Sequence, residues 1–337
     1  MIRLLNGKGE VPVKKILPKQ WLILASCLVM PVFGASAATQ WEMPTPYGDG
    51  VHHTRNVRLF AEDVMRTSNG ELEIKVHSGA SLFKHPDIHR AVRSGQVSIG
   101  EMLMALLGNQ DPLFKVDNIP FLASDFDSAK KLWQVSRPYV EKSLARDGLM
   151  LLYAVPWPPQ GFYTKKAVAS VKDFDGMKMR AYSPTTSRLA VLLKGAPTTV
   201  QTPEIPQAFS TGIIDAMVTS PTTGVSSQAW DFVGHYTDTR AWIPKNMVIV
   251  NARAFKRLSP AVQDALLAAA SRAEERGWEI AVSETAEKTA TLKEQGMQVN
   301  SPTARFKSEL KAIGDVMSRE WASEAGEVGA EILKAMQ

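Results

Sequence analysis

The chain has 337 residues, of which 22% are charged, and a formal net charge of +5. Residues 1–37 contain five lysines and arginines and one acid, so the remainder carries only +1. A nearly neutral remainder lacks the basic surface that nucleic-acid binding requires, and we expect no nucleic-acid partner. The length suits two domains or one large domain.

The N-terminus has the three parts of a secretory signal peptide. A basic segment at 1–20 precedes the uncharged apolar run WLILASCLVMPVFG at 21–34, and the small residues ASAA follow at 35–38. The apolar run is shorter than the roughly 20 residues that span a membrane. We therefore expect export to the periplasm and cleavage after Ala37.

The single cysteine, Cys27, lies inside this apolar run. The segment LASC at 24–27 has the shape of a lipoprotein cleavage site, but the apolar run before it is short and continues beyond it. We therefore expect no lipid anchor. Without Cys27 the mature chain has no disulfide, no thiol nucleophile and no cysteine-ligated metal.

Hydrophobic periodicity predicts alternating elements in the first half of the chain. Helix 124–148 has Ser124 as its expected N-cap, and the strand at 149–157 is apolar throughout, as in a strand covered on both faces. Residues 38–48 are predicted to form a short strand followed by a loop. The other predicted strands are 71–77, 97–107 and 149–157, and the predicted helices are 49–70, 85–96 and 124–148.

The same alternation continues in the second half. Strands are predicted at 177–182, 198–201, 214–220 and 246–255, with helices at 185–195 and 203–212. A long helix at 259–296 begins at Ser259 and Pro260, and Gly296 ends it. At about 50 Å it is long enough to brace two domains. Strands alternating with helices predict an α/β fold with mainly parallel strands.

Motifs for catalysis and metal binding are missing from the sequence. It contains no phosphate-binding loop, nucleophile elbow or zinc motif, and no nucleophile has a neighbouring base. His85 and His89 have the i,i+4 spacing of metal ligands, yet such a pair is more typical of surface or cap histidines. We predict no catalytic residue, no metal and no cofactor.

Polar and aromatic side chains follow three of the predicted strands. In open α/β folds, ligands bind just beyond the carboxyl ends of the strands. These residues can therefore line an apolar pocket with polar anchors, or the aromatic ones can simply close the core. They are Trp157, Gln160, Phe162, Tyr163, Arg180, Tyr182, Thr219 and Ser220.

Arg180 lies in the short alternating segment MKMRAY at 177–182. Alternation places Lys178, Arg180 and Tyr182 on one face of a strand. One interpretation is a basic face in contact with water. The other is an arginine that binds a carboxylate.

Several segments, in the same order, resemble the periplasmic solute-binding proteins of TRAP (tripartite ATP-independent periplasmic) transporters. The region from 171 to 217 is the most specific part of this resemblance. The segments are ELEIKVHSGASL at 71–82, GQVSIGEM at 95–102, DNIPFL at 117–122, VKDFDGMKMRAYSP at 171–184, EIPQAFSTGIIDAM at 204–217 and NMVIVNARAFKRLSPAVQDAL at 246–266.

The resemblance implies two α/β lobes around a ligand cleft, braced by the long helix. It implies that lobe I contains 38–157 and about 246–285, and that lobe II contains 158–245 and about 286–337. It also implies that Arg180 pairs with a ligand carboxylate, which a guanidinium fork matches well. The expected partners are a small-molecule carboxylate and the small and large membrane subunits of a TRAP permease, with the protein itself a monomer.

The chain departs from the family pattern in two places. Relatives often carry Asp-Gly-Gln-Glu-Asn-Pro where this chain has DAMVTSP at 215–221, so either Thr219 or Ser220 replaces the binding asparagine. Many relatives also have a second arginine where Gln160 is the nearest residue, which disfavours a dicarboxylate or a sialic-acid-like ligand.

The aromatic and apolar side chains near these positions favour a carboxylate with an apolar or aromatic body, such as an aromatic 2-oxo or 2-hydroxy acid. They are Trp157, Phe162, Tyr163, Met217 and Trp230. Tyr47 and Glu101 complete the predicted ligand-binding set.

Three other functions remain open from the sequence. A binding protein of an ATP-driven (ABC-type) importer shares the two-lobed design, although the segment 177–217 favours the TRAP type. A periplasmic enzyme acting on a carboxylate would convert the acid, whereas a binding protein releases it unchanged. A purely structural envelope protein would show no ligand-dependent rise in melting temperature.

Overall fold

Residues 38–337 form three β-sheets of two, three and six strands, and paired segments cross between the three-stranded and the six-stranded sheet. The computed structural model describes residues 9–13 and 38–337. Residues 9–13 are exposed and have no regular secondary structure, and the account below concerns 38–337. The predicted signal peptide, its cleavage site and Cys27 lie outside the described residues.

Residues 38–337 contain eleven strands. They are β1 (Thr39–Pro44), β2 (Leu72–His77), β3 (Ile99–Leu103), β4 (Leu149–Pro156), β5 (Gly161–Thr164), β6 (Lys178–Ala181), β7 (Ala196–Thr199), β8 (Ala216–Thr219), β9 (His235–Thr237), β10 (Lys245–Asn251) and β11 (Gln298–Asn300).

The same residues form nine α-helices, and none of these is long and apolar enough to cross a membrane. Short 3₁₀ turns, including His85–Asp87, Met104–Asn109, Pro112–Asn118 and Thr202–Glu204, join several elements. The helices are α1 (His52–Thr67), α2 (Ile88–Ser94), α3 (Phe126–Arg146), α4 (Pro184–Leu192), α5 (Ile205–Ser210), α6 (Pro221–Ser226), α7 (Ala252–Lys256), α8 (Pro260–Glu294) and α9 (Ala304–Met336).

The sheets are of mixed direction. Strands β3, β10 and β4 form an antiparallel sheet in that order, beside the parallel pair β1–β2. The six-stranded sheet has the order β11-β9-β5-β8-β6-β7, and its inner strand β5 is antiparallel to both neighbours. The prediction of mainly parallel strands is wrong, since β5 and β10 are each antiparallel to both neighbours. Parallel neighbours need a long, usually helical connection, whereas β5 and β10 each follow a crossing segment.

Two crossing segments connect the sheets. Residues 157–160 lead from β4 to β5, and 241–244 lead back towards β10. They run antiparallel and hydrogen-bonded: Trp157 N donates to Pro244 O at 2.8 Å, and Gln160 N donates to Trp242 O at 3.0 Å. We call the part built on β3, β10 and β4 the first lobe and the part built on the six-stranded sheet the second lobe. The exact residue boundaries of the lobes stay a prediction.

The predicted long helix is confirmed as α8, with the side chain of Ser259 as its N-cap. It contacts α1 and β4 of the first lobe and α6 at the edge of the second. Glu284, buried in this helix, accepts hydrogen bonds from Arg55 Nη2 at 2.6 Å and from Thr222 Oγ1 at 2.8 Å. One carboxylate on α8 therefore ties helices α1 and α6 together.

The C-terminal helix α9 was not predicted from the sequence. Its first part places Phe306 and Leu310 in the core of the second lobe. Its later part places Trp321 and Ile332 in the core of the first lobe. A kink at Gly326 lies between those two residues. The helix therefore contributes to the cores of both lobes.

Several element ends differ from the predictions, and three of these differences have a clear local cause. Helix α3 is capped by Asp125, whose carboxylate accepts from Ser128 N, so Ser124 is not the N-cap. The strand predicted at 97–107 ends at Leu103, where the backbone turns into a 3₁₀ segment. The strand predicted at 246–255 ends at Asn251, because the side chain of that residue caps the short helix α7.

Helix α8 packs so closely on the first lobe that Gly277 has no room for a side chain. A Cβ at Gly277 would collide with Val155 and come within 2.9 Å of Asn56 Nδ2. We expect Gly277→Val to lower the free energy of unfolding by about 1–3 kcal/mol through overpacking, measured by urea denaturation. Ser271→Val adds the same side chain to an exposed position of α8 and should cost under ~1 kcal/mol. Equal losses in the two variants would contradict this packing.

Candidate functional site

A cavity with about 370 Å³ of empty space lies between the lobes, beside the crossing segments. Its wall combines residues after β3, β6 and β8 with residues of the crossing segments. The lining residues are Tyr47, His85, Leu103, Trp157, Gln160, Arg180, Tyr182, Gln201, Thr202, Thr219, Thr223 and Pro244.

Arg180 contributes the positive charge of this cavity. The residue is only 2% exposed, whereas Lys178, two positions earlier on β6, is exposed. Its Nε donates to Val200 O at 2.9 Å, and Nη2 donates to Thr202 Oγ1 at 3.4 Å. The interpretation of a basic face in contact with water is therefore wrong for Arg180.

The guanidinium of Arg180 has no acidic partner within ion-pair distance among the residues that the structure describes. Burial lowers the pKa of Arg180 to about 10, so the group stays charged at neutral pH. It lies 5.3 Å from the centre of the Tyr182 ring, a cation–π arrangement. A buried charge with only neutral partners is costly, and an anionic ligand would offset that cost.

A chain of hydrogen bonds fixes the polar wall beside Arg180. Trp242 Nε1 donates to Tyr182 OH at 3.2 Å, and that hydroxyl donates to Gln160 Oε1 at 3.2 Å. Gln160 Nε2 donates to Pro158 O at 2.8 Å, which sets the orientation of the amide. Burial raises the pKa of Tyr182 above its ordinary value, so the hydroxyl stays protonated.

Tyr47 and Trp157 form the aromatic wall on the side of the first lobe. Their rings meet edge to face with centroids 5.0 Å apart. Asn246 Oδ1 accepts from Trp157 Nε1 at 2.9 Å and from Tyr47 OH at 3.3 Å. Asn246 Nδ2 in turn donates to Glu101 Oε1 at 3.2 Å. Glu101 thus positions Asn246 from behind the wall and does not line the cavity.

The structure brings six of the predicted site residues together. They are Tyr47, Trp157, Gln160, Arg180, Tyr182 and Thr219. Their common feature is a position at a strand end or in a crossing segment, where the backbone leaves the sheet and the side chain reaches the cleft.

The other predicted residues lie outside the cavity wall. Phe162 packs against Phe174 and Phe306 with ring centroids 5.0 and 5.7 Å away, and Met217 is buried in the core beneath β8. Ser220 accepts from Thr223 N at 3.1 Å and so caps α6. Of the two candidates for the missing asparagine, Thr219 is therefore the one at the cavity.

Two further aromatic residues from the sequence analysis also serve the second lobe. Tyr163 is buried there and donates its hydroxyl proton to Ser220 O at 3.1 Å. Trp230 packs, partly buried, against the same hydrophobic cluster. These rings close the core, as the alternative interpretation of strand-end aromatics proposed.

Sequence reasoning missed half of the wall: His85, Leu103, Gln201, Thr202, Thr223 and Pro244. Thr223 was contained in a quoted strand-end segment, but nothing in its sequence context separated it from its neighbours. His85 was expected at the surface or as a cap, yet it is buried and accepts from Leu103 N at 2.9 Å. Only the approach of β3 to the turn at His85–Asp87 creates that contact.

His85 and His89 have different surroundings in the structure. Within 9–13 and 38–337 no group of three or more histidines, cysteines or acids is placed to hold a metal ion. His89 instead lies 3.3 Å from Asp147 Oδ2, while His85 faces the cavity.

Two lobes, a bracing helix and a cleft whose buried cation has no acidic partner in the described residues are features of an extracytoplasmic solute-binding protein. The family model "Bacterial extracellular solute-binding protein, family 7" (DctP) matches residues 48–324, and the chain belongs to this family. The resemblance to TRAP solute-binding proteins and the two-lobed α/β fold are thereby confirmed.

Three solved structures are similar over 88–89% of this chain. DctP7 of Bordetella pertussis, an extracytoplasmic solute receptor binding pyroglutamic acid, is 49% identical with a TM-score of 0.88, covering 89% of this chain and 99% of its own. DctP6 of the same organism, also binding pyroglutamic acid, is 42% identical with a TM-score of 0.87, covering 88% and 99%. A marine metagenome TRAP solute-binding protein with co-purified pyroglutamate is 36% identical with a TM-score of 0.88, covering 89% and 99%.

Trp157 is the tryptophan in the cavity wall, so its fluorescence is expected to report ligand binding. We expect Trp157→Phe to remove most of the emission change that a bound carboxylate produces. Trp230→Phe is the matched control, because Trp230 packs outside the cavity, and it should keep the change. Titrations followed by tryptophan emission measure both. A full response in Trp157→Phe would show that Trp157 is not the residue that reports the ligand.

Proposed function

We propose that this protein binds pyroglutamate in the periplasm and delivers it to the small and large membrane subunits of a TRAP permease. The observation that carries the proposal is the buried guanidinium of Arg180, which faces the cavity without an acidic partner in the described chain. Relatives that are 49%, 42% and 36% identical bind this ligand. Export with cleavage after Ala37 is part of the same proposal.

The chemistry of pyroglutamate suits the cavity. It has one carboxylate, which requires one guanidinium, and a five-membered lactam ring with one N–H donor and one carbonyl acceptor. The cavity offers Arg180 for the carboxylate, and the hydroxyls of Thr202, Thr219 and Thr223 for the lactam N–H. Aromatic and apolar side chains of the wall, such as Trp157, Leu103 and Pro244, can contact the carbon atoms of the ring.

Each lobe contributes different residues to the cavity wall. Arg180 and the threonine hydroxyls belong to the second lobe, while Tyr47 and Trp157 belong to the first lobe and the start of its crossing segment. A ligand between them would hold the cleft closed, because each lobe binds a different face of it. We propose lobe boundaries at the crossing segments, as the sequence suggested, and a monomer without catalytic residues, metal or cofactor.

A titration of purified mature protein with L-pyroglutamate tests the ligand. We expect a rise in melting temperature and saturable heat of binding, because the ligand binds only the folded state. Mass spectrometry should recover the acid unchanged, as a binding protein requires and a periplasmic enzyme does not. L-Glutamate, with an open chain and a second carboxylate, and phenylpyruvate, an aromatic 2-oxo acid, are the comparison ligands. If either acid bound more tightly than pyroglutamate, that acid would become the proposed ligand.

Substitution of Arg180 tests the carboxylate clamp. Removing one partner of a buried charge pair costs about 3–5 kcal/mol, so Arg180→Ala should weaken pyroglutamate binding by roughly two to four decades. Arg180→Lys should recover part of this loss, since an ammonium lacks the bidentate fork.

Lys178→Ala is the matched control on the same strand, and it should bind like the wild type because Lys178 is exposed. Calorimetric titration gives the affinities, and circular dichroism confirms folding. A folded Arg180→Ala protein that binds within about threefold of wild type would refute the clamp, since threefold is under ~1 kcal/mol.

A further inference from the structure

The ring of His85 is held in one tautomer by the backbone of Leu103. A backbone N–H can only donate, and Leu103 N lies 2.9 Å from His85 Nε2. Nε2 must therefore be the unprotonated acceptor, and the proton of the neutral ring must be on Nδ1. The ring of Tyr47 meets the imidazole edge to face at 5.5 Å and further limits its orientation.

The imidazole also stays neutral. His85 is 6% exposed, and burial together with the nearby charge of Arg180 lowers its pKa to about 3. The groups that face the ring are Tyr47, His53 and Arg180, and none of them is an anion at neutral pH. His53 is itself buried, and burial lowers its pKa well below the ordinary value.

The first lobe presents few polar groups to the cavity, and most are already engaged. Tyr47 OH and Trp157 Nε1 both donate to Asn246 Oδ1. The side chains of Leu103 and Pro244 are apolar. His85 Nδ1 has no hydrogen-bond partner among residues 38–337, and the ring lines the cavity. On this side of the cleft, within the described chain, Nδ1–H is thus the side-chain donor left for a ligand.

We propose that His85 donates its Nδ1–H to the lactam carbonyl oxygen of pyroglutamate while Arg180 binds the carboxylate. This inference rests on the proposed function and assigns the residue that recognises the lactam. The ligand then connects the two lobes through its two acceptor groups. A neutral donor suits a neutral carbonyl, and it disfavours a ring acid without one, because the buried N–H would lose its partner.

Two substitutions of His85 test the roles of its two ring nitrogens one at a time. In His85→Gln the amide oxygen can take the place of Nε2 and accept from Leu103 N, while nothing replaces Nδ1–H. In His85→Asn the amide nitrogen can take the place of Nδ1 and keep the donor. The probes are L-pyroglutamate and cyclopentanecarboxylate, which has the same ring size and carboxylate but no lactam.

We expect wild type to prefer pyroglutamate over cyclopentanecarboxylate in competition calorimetry. His85→Gln should weaken pyroglutamate binding about tenfold to a hundredfold, the effect of a lost hydrogen bond to a buried group, and leave cyclopentanecarboxylate within about twofold. His85→Asn should retain more of the preference than His85→Gln. Thermal melts of the ligand-free variants check that each is folded.

Nitrogen NMR of protein labelled at histidine is a second test, and it does not require the binding affinity of any variant. The ligand-free protein should show the Nδ1–H tautomer at His85, assigned by its loss in His85→Gln, and the Nδ1 signal should shift on addition of pyroglutamate. An Nε2–H tautomer, or His85→Gln binding pyroglutamate like wild type, overturns the inference alone. Wild-type protein that does not bind pyroglutamate refutes the proposed function and this inference together.

Discussion

The site depends on one buried cation. Arg180 is removed from water by the meeting of two lobes, yet its neighbours are a backbone carbonyl, a threonine hydroxyl and an aromatic face. These groups orient the guanidinium without neutralising it. Because a neutral environment stabilises a charge poorly, the cavity favours an anion over any neutral solute of equal size. Under the proposed function, that anion is the carboxylate of the ligand.

Most polar groups in the rest of the wall already have hydrogen-bond partners within the protein. Trp157 and Tyr47 donate to Asn246, which Glu101 holds, and Tyr182 donates to Gln160. Groups that are already paired need little rearrangement on binding, which lowers the entropic cost of capture. Burial also keeps the titratable groups of the wall in one protonation state, so the charge of the site does not vary near neutral pH.

Two long helices and a crossing segment connect the two lobes that form this wall. Helix α8 joins α1 and α6 through Glu284, and α9 contributes side chains to both cores. A buried pair anchors the returning crossing segment: Lys245 N donates to Asp117 at 2.8 Å at the start of β10. The cleft thus lies between bodies that are connected at defined points, which is the arrangement that hinge closure around a ligand requires.

The sequence by itself determined the features that depend on local periodicity and on ordered motifs. Ser259 and Pro260 predict the start of α8, the alternation in MKMRAY places Arg180 opposite Met179, and the ordered segments identify the family. Strand ends also predict that Trp157, Gln160 and Tyr182 face one cavity. The helix start and the strand alternation use neighbours within a few positions along the chain, and the family identification uses the order of short segments along it.

Only the tertiary structure decided which of the remaining candidates reach the cavity. Thr219 and Ser220 are adjacent in sequence, but the hydroxyl of Ser220 is used to cap α6. Glu101 supports the wall from behind, and His85 becomes a buried wall residue because Leu103 N approaches it. The direction of β5 and β10 was likewise set by the crossing segments. These outcomes depend on hydrogen bonds between residues distant in the chain, and no local pattern encodes which partners meet once the lobes have packed.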